Sequence, residues 1–121
     1  MSKLLIDQLN RKREVRIEID KPKGGGKIVF LARRPSDLEM VGVQDLDRQT
    51  QTKRGLGHVF GWENVVEDDI VGGACMDPVK FDADLWLTWA ADHSEWWGPI
   101  GDAIFGAYFA HLGAEADAEK K

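Results

Sequence analysis

Several groups of residues in this chain have types that could bind ions or support catalysis. Glycines 24–26 are followed by Lys27, as in a loop that holds phosphate. Such a loop needs a longer spacing between its glycines and a Ser or Thr after its lysine, whereas Ile28 follows here. The glycines are typical of a hairpin turn instead.

The remaining titratable groups do not favour an enzyme or a metal site. The three histidines are scattered, and the single cysteine, Cys75, cannot complete a zinc site or an internal disulfide. Asp92, His93 and Ser94 are adjacent in sequence, whereas a catalytic triad converges from separate elements. We therefore expect no enzymatic activity, no metal and no cofactor.

Residues 67–69 offer a run of carboxylates without the ligand spacing of a calcium loop. We interpret this run as part of an exposed acidic connection. It also contributes to a polarised charge: residues 1–60 hold 13 Lys and Arg against 8 Asp and Glu, and residues 61–121 hold 3 against 13. Opposite charges at two ends could let copies associate head to tail. The residues expected to meet are Lys21, Lys23 and Lys27 of one copy and Glu67, Asp68 and Asp69 of another.

Five tryptophans are the most distinctive feature of the sequence, because each can bury roughly 150 to 250 Å². They could form the core, line a sugar-binding surface or anchor a protein partner. Sugar platforms usually lie on strands or loops beside polar residues, which is not the pattern here. We favour core positions for Trp62 and Trp89, and a shared core and interface role for Trp86, Trp96 and Trp97.

The elements that position these residues begin with a β-hairpin over residues 15–32. Apolar and charged residues alternate over residues 15–20, the period of a strand with one buried face. Pro22 and the three glycines break the pattern, and a second strand is predicted over residues 27–32.

Helices are predicted to follow over residues 36–112. Ser36 and Glu39 have capping-box spacing at the start of a helix whose Leu38 and Val41 would face inward, with an interruption near Gly42. A polar stretch, residues 44–54, precedes a second short helix. This helix is predicted to carry the apolar residues Leu56, Val59, Phe60 and Trp62.

The second half of this helical part contains an acidic connection and two helices. The connection covers residues 63–80, and Asp82 can cap a helix beyond it. Ser94 can cap a final helix that runs to about Leu112, with Pro99 in its first turn. The apolar stripe of the first of these helices is Leu85, Trp86, Trp89 and Ala90.

The final helix is apolar on every face between Ile100 and Leu112. It is too short for a membrane span, which needs roughly 18 or more apolar residues. Such a helix must be buried nearly all round, either at the centre of the fold or against another chain. The sequence therefore predicts one α+β domain, mainly α: a hairpin, about four helices, and a flexible polar tail over residues 113–121.

Two motifs resemble a known family. Gly61, Trp62, Glu63 and Val65 form a hydrophobic-Gly-Trp-Glu-x-Val motif, and residues 78–81 form a short Pro-x-x-Phe entry to a helix. A closing helix with aromatic residues near its end completes the pattern. These features resemble the tail assembly chaperones of bacteriophages with long, non-contractile tails.

The resemblance implies a protein of the host bacterial cytoplasm that is absent from the finished phage particle. It would bind the long, helical tape measure protein and keep it soluble until tail tube subunits assemble around it. The motif residues would be structural. The expected partner-binding residues are Trp86, Trp96, Trp97, Ile100, Ile104, Phe105, Tyr108 and Phe109.

Other functions remain as alternatives. A structural tail protein, such as a terminator or adaptor, would share the size, acidity and tendency to form rings. A small carbohydrate-binding module would need a concave pocket with convergent polar groups, and no residues in the sequence indicate such a pocket. Nucleic-acid binding through the basic hairpin would show affinity that falls steeply with salt, but the acidic second half disfavours it.

The resemblance also implies a longer form of the protein, made by a ribosomal frameshift near the end of the gene, which would contact the tail tube protein. Glu119, Lys120 and Lys121 can be encoded by a run of adenines on which both transfer RNAs re-pair after a backward slip. We expect the gene to contain that run and an overlapping frame. Lysine codons that interrupt the run, with no overlapping frame, would contradict this expectation.

Overall fold

The computed structural model describes residues 2–119, which form α-helices, a short 3₁₀ helix (Val43–Asp45) and a three-stranded antiparallel sheet. The described part is 53% helical and 18% strand, so the predicted mainly helical α+β class, with a hairpin followed by helices, is confirmed. Met1, Lys120 and Lys121, two of which belong to the frameshift prediction, lie outside this part. The elements are α1 (Ser2–Arg11), β1 (Glu14–Asp20), β2 (Lys27–Arg33), α2 (Arg48–Gly57), β3 (Val59–Glu63), α3 (Glu67–Val71), α4 (Ala83–Ala91) and α5 (Ser94–Glu119).

Strands β1 and β2 form the predicted hairpin, with Ile17 opposite Phe30. The turn between them is closed by a hydrogen bond from the Lys21 N–H to the Gly26 carbonyl, 3.0 Å. All three glycines of the turn have φ between 81° and 99°, a left-handed region that residues with a Cβ rarely adopt. The glycine triplet is therefore a conformational requirement of this turn.

Strand β3 corrects the prediction of a short helix around Val59 and Trp62. It pairs with β2 and places Trp62 opposite Phe30 and Gly61 opposite Leu31. A Cβ added at Gly61 would lie 3.5 Å from Leu31 Cδ1, an ordinary van der Waals distance, so the strand pairing does not require glycine here. The helical spacing of the apolar residues was misleading because Leu56 belongs to α2 and the others belong to a strand.

The core lies between one face of the sheet and helices α4 and α5. Phe30 is fully buried, and its ring centroid lies 4.7 Å from that of Trp86 and 5.5 Å from that of Trp96. The indole N–H of Trp86 donates to the Leu56 carbonyl at 2.8 Å, which ties α2 to the same cluster. Phe30 thus contacts α4 and α5 directly, and Trp86 links α2 to the same cluster.

Helix α4 confirms the predicted cap and apolar stripe. The Asp82 side chain accepts a hydrogen bond from the Leu85 N–H at 2.9 Å, and Trp86, Trp89 and Ala90 are buried. Together with the predicted stripe, the carboxylate cap accounts for both the start and the orientation of this helix.

Helix α5 begins at Ser94 as predicted but differs in three respects. It runs to Glu119, so the predicted flexible tail is helical as far as the structure describes it. Pro99 lies beyond the first turn, inside the helix. The helix is not buried all round, because Phe109 and Leu112 are exposed.

The segment after β2 contains the predicted capping box, but the predicted helix is wrong, because residues 37–42 form hydrogen-bonded turns. The Ser36 hydroxyl accepts from the Glu39 N–H, and the Glu39 carboxylate accepts from the Ser36 N–H. Gly42 then adopts φ 77° and ends the turn. Leu38 and Val41 are exposed, so their predicted inward orientation is wrong. Without a continuous helix, this segment does not present an apolar stripe to the core.

Helices α1, α2 and α3 were not predicted. Helix α2 occupies most of the polar stretch, where Asp47 caps it by accepting from the Thr50 N–H at 2.7 Å. Helix α3 is a single short element within the acidic connection. These helices carry few apolar residues at regular spacing or are short, so periodicity does not reveal them.

A mostly buried ion pair joins the hairpin turn to the acidic connection. Lys21 Nζ lies 2.9 Å from Asp69 Oδ2, and the two side chains are 7% and 13% exposed. Asp69 Oδ2 also accepts from the Val66 N–H at 2.9 Å. The neighbouring pair of Lys23 and Asp68 is longer, 3.7 Å, and its lysine is 73% exposed.

We predict that Lys21→Met lowers the free energy of unfolding by about 3 kcal/mol, because it leaves a buried carboxylate without its partner. Lys23→Met, in the same turn, is the matched control and should cost less than about 1 kcal/mol. Adding Asp69→Asn to Lys21→Met should recover most of the loss. Urea unfolding measures all three, and equal costs for the two lysine variants would contradict the prediction.

Candidate partner-binding surface

The expected partner-binding residues separate into two stripes on α5 and one residue on α4. Four of them recur at every fourth position and are buried against the sheet and α4, and Trp86 of α4 joins them in the core. A side chain that is already enclosed cannot contact a partner unless the fold opens. The four buried residues of α5 are Trp96, Ile100, Ile104 and Tyr108.

A second stripe, offset by one residue, faces outward beside the first. It consists of Trp97, Gly101, Phe105 and Phe109, also at every fourth position. Trp97 is 37% and Phe109 is 62% exposed, and Phe105 is half-buried. The structure therefore leaves three of the eight predicted residues available to a partner. The sequence did not distinguish the two stripes, because both are equally apolar.

The outer stripe lines a groove between α2 and α5, which we name the α2/α5 groove. A cavity of about 210 Å³ lies between Trp97 and Phe105, where Gly101 has no side chain. A second cavity of about 370 Å³ continues past Phe105 to Phe109 and Leu112. The two cavities are neighbours along α5 and share two lining residues, Gln51 of α2 and Phe105 of α5.

Several contacts fix the walls of this groove. The indole N–H of Trp97 donates to the Ala90 carbonyl at 2.8 Å, so the ring is held although it is partly exposed. The amide of Gln51 donates to the carbonyls of Val43 and Leu46 at 3.0 and 2.9 Å. Helices α2 and α5 approach closely at Gly55, where an added Cβ would lie 3.7 Å from the Phe105 ring. The groove is a preformed feature of the fold.

The charged residues expected to join two copies are brought together within one chain. Lys21 and Lys23 pair with Asp69 and Asp68, and Lys27 lies 3.7 Å from Glu18 on its own hairpin. Sequence reasoning placed these charges at opposite ends of the chain, and the fold makes them neighbours. Pairing between copies through the same groups remains a prediction, and it would compete with these internal pairs.

The residues of the family motif have contacts inside the fold. The Trp62 indole N–H donates to the Val79 carbonyl at 2.8 Å, and its ring packs edge-on against Phe81 and Trp89. Glu63 forms an exposed ion pair with Arg16 through two hydrogen bonds, and Val65 is buried. Together with Gly61 opposite Leu31, these contacts join β3 to the rest of the sheet and to the connection after it.

Two groups of potential metal ligands, which the sequence did not predict, form through the fold. Asp37, His111 and Glu115 converge, but the Arg34 guanidinium lies 3.2 Å from the other ring nitrogen of His111. That positive charge disfavours a cation at the same ring. Glu67, Cys75 and Asp77 form the other group, where backbone hydrogen bonds of the connection bring them together.

A network of charged side chains surrounds His58, near the end of α2. Arg13 Nη2 lies 2.6 Å from Glu39 Oε1, and His58 Nδ1 lies 3.9 Å from Glu39 Oε2. Burial lowers the pKa of His58 below its ordinary value of 6.5, and the attraction of Glu39 only partly opposes this. Burial alone would raise the pKa of Glu39, but hydrogen bonds from Ser36 and the charges of His58 and Arg13 outweigh it and lower that pKa.

Comparisons of the chain with known protein families, with curated proteins and with solved structures found no match. Within residues 2–119, no helix combines the length and the apolar character that crossing a membrane requires.

We predict that His58 makes the protein less stable below neutral pH. Folding lowers the pKa of His58 below 6.5. As the pH decreases through 6.5, His58 therefore takes up a proton in the unfolded chain, whereas its imidazole stays neutral in the folded chain. The free energy of unfolding should therefore fall as the pH decreases through 6.5, and His58→Gln should flatten this dependence. Urea midpoints measured above and below that pH test the prediction, and an unchanged slope in the variant would contradict it.

Proposed function

We propose that this protein is a tail assembly chaperone of a long-tailed bacteriophage, the function of the family that it resembles. It would bind the tape measure protein in the cytoplasm of the infected bacterium and keep that protein soluble until the tail tube assembles. The observation that carries the proposal is the α2/α5 groove, a preformed depression lined by Trp97, Phe105 and Phe109.

The shape of the groove suits a helical partner. Trp97 and Phe109 are twelve residues apart on α5, which corresponds to about 18 Å at 1.5 Å per residue. That length matches about three turns of a helix lying along the groove. Gly101 leaves a gap between the two aromatic side chains that flank it, and an apolar side chain of a partner helix can fill such a gap.

The chemistry of the groove suits a chain that would otherwise aggregate. A long helical protein that waits for its tube exposes apolar stripes, and such stripes associate unless they are covered. Aromatic side chains are enriched at the centres of protein interfaces, because they bury much area with few rotatable bonds. Trp97 and Phe105, which are already held by contacts in the chain, would lose little freedom on binding.

We predict that Gly101→Leu blocks this function without harming the fold. A Cβ at Gly101 would have no atom within 4 Å apart from its chain neighbours and the backbone of its own helix, and Gly101 lines the groove, so the new side chain would enter the groove. The change should leave stability equal or raise it by up to about 1 kcal/mol, since glycine is a poor helix former. Gly106→Leu is the matched control, because Gly106 lies on the same helix, has equally open surroundings and does not line the groove.

The measurement is the soluble fraction of a tape measure fragment co-expressed with each variant. The wild type and Gly106→Leu should keep the fragment soluble, and Gly101→Leu should reduce the soluble fraction by roughly tenfold, the effect of losing about 1.4 kcal/mol of binding. A wild-type protein that leaves the fragment insoluble would overturn the proposed function. Equal solubilisation by both glycine variants would show that the groove is not the binding surface.

A further inference from the structure

Helix α1 presents an apolar face that the rest of the described chain leaves uncovered. Leu5, Ile6 and Leu9 lie on one side of the helix, with Leu4 beside them. These four side chains are between 55% and 62% exposed, and no residue of α1 is buried. Scattered apolar residues are normal on a surface, but four of them on a ten-residue helix form a patch.

A helix of this length does not hold itself together. Isolated helices shorter than about 12 to 15 residues are marginal in water, and most helical stability in proteins comes from packing an amphipathic face. Helix α1 also has no acidic residue in its first turn to favour its N-terminus. Its stability must therefore come from a surface that covers the patch.

The C-terminal part of α5 is a matching surface. Beyond the last buried residue, Tyr108, it exposes Phe109 and Leu112, which are 62% and 38% exposed. Both residues also line the far end of the α2/α5 groove, so a second copy bound here would cover that end. From Phe109 to Glu119 the helix extends for about 17 Å, and α1 extends for about 15 Å, at 1.5 Å per residue. The two exposed helical segments are therefore equal in length to within one residue.

The charges of these segments are complementary. Helix α1 contains Lys3 and Arg11 against one acidic residue, Asp7, whereas residues 109–119 contain three Asp and Glu and no Lys or Arg. Glu115 and Asp117 lie on the part of α5 that follows Phe109. A basic apolar helix and an acidic apolar helix attract each other, and two copies of either one repel.

The connection of α1 to the sheet restricts which copy of α5 it can cover. Only Lys12 and Arg13 separate α1 from β1. Arg13 is held on both sides, because its carbonyl accepts from the Arg34 N–H at 2.7 Å and its side chain binds the Arg34 carbonyl and Glu39. With the connection held in this way, the apolar side chains of α1 do not pack on its own α5, since they are 55% to 62% exposed.

The base of α1 nevertheless lies near α5, since Leu9 lines a cavity of about 580 Å³ together with Ala107, Ala110 and His111. The base of α1 and the start of the exposed segment of α5 therefore lie close together. We propose that two copies pair symmetrically, each placing α1 on the C-terminal part of the other copy's α5. This pairing buries both surfaces of each copy at once, as a symmetric interface does.

The first test is the mass of the full-length protein in solution, measured by light scattering during gel filtration. The wild type should have twice the mass of one chain, and Leu5→Glu with Leu9→Glu should have the mass of one. Leu38→Glu is the control, because Leu38 is 83% exposed and lies outside α1 and α5. Near-ultraviolet circular dichroism of the tryptophans would show that each variant still folds. A monomeric wild type, or a dimer that survives the double substitution, would overturn the proposal.

The second test identifies the surfaces that meet. Lys3→Glu with Arg11→Glu should weaken the dimer at least tenfold, and mixing that variant with one carrying Glu115→Lys and Asp117→Lys should restore it. In a Cys75→Ser background, Leu5→Cys on one copy should form a disulfide with Leu112→Cys on another. Absence of this crosslink, a crosslink within one chain, or binding of α1 only to anionic vesicles would overturn the proposal. No tape measure protein is present, so failure here does not bear on the chaperone function.

Discussion

Phe30 is the point at which the two layers of this protein meet. It lies on the central strand of the sheet, with Ile17 and Trp62 opposite it on the two neighbouring strands. The rings of Trp86 and Trp96 cover it from α4 and α5. Helices α4 and α5 both cover the face of the sheet that carries Phe30, so this residue is central to the packing of the two layers. The groove depends on this in turn, because the stripe that faces Phe30 leaves the adjacent stripe of α5 outside.

The hairpin, α4 and the start of α5 could be predicted because their signals are local. Alternating residues and a glycine turn define the hairpin, and Asp82 with its apolar stripe defines α4. Helix α2 and strand β3 depend on distant partners. Val59 and Trp62 form a strand because β2 offers an unpaired edge, and α2 is positioned by the Trp86 hydrogen bond to Leu56. A single sequence does not display such partners, so tertiary context overrides the local pattern.

The eight residues predicted to bind a partner do not share one face of the structure, because five are buried and three are accessible. Trp96 and Trp97 are adjacent and chemically identical, yet one is 3% exposed and the other 37%. A rotation of α5 by one residue, about 100°, would exchange their positions, and only packing against the sheet selects between these arrangements. The charged residues give the same lesson: Lys21 and Asp69 were expected on separate molecules because the fold that joins them was unknown.

The order of the elements along the chain has a consequence for synthesis of the protein on the ribosome. The hairpin is complete early, whereas the tryptophans that cover Phe30 lie on the last two helices. Contacts between distant parts of a sequence form slowly, since the intervening chain must first be ordered. The apolar face of the hairpin therefore stays uncovered until nearly the whole chain has emerged. The nascent protein is exposed to aggregation during that interval, and its yield in the cell should depend on how quickly translation delivers α5.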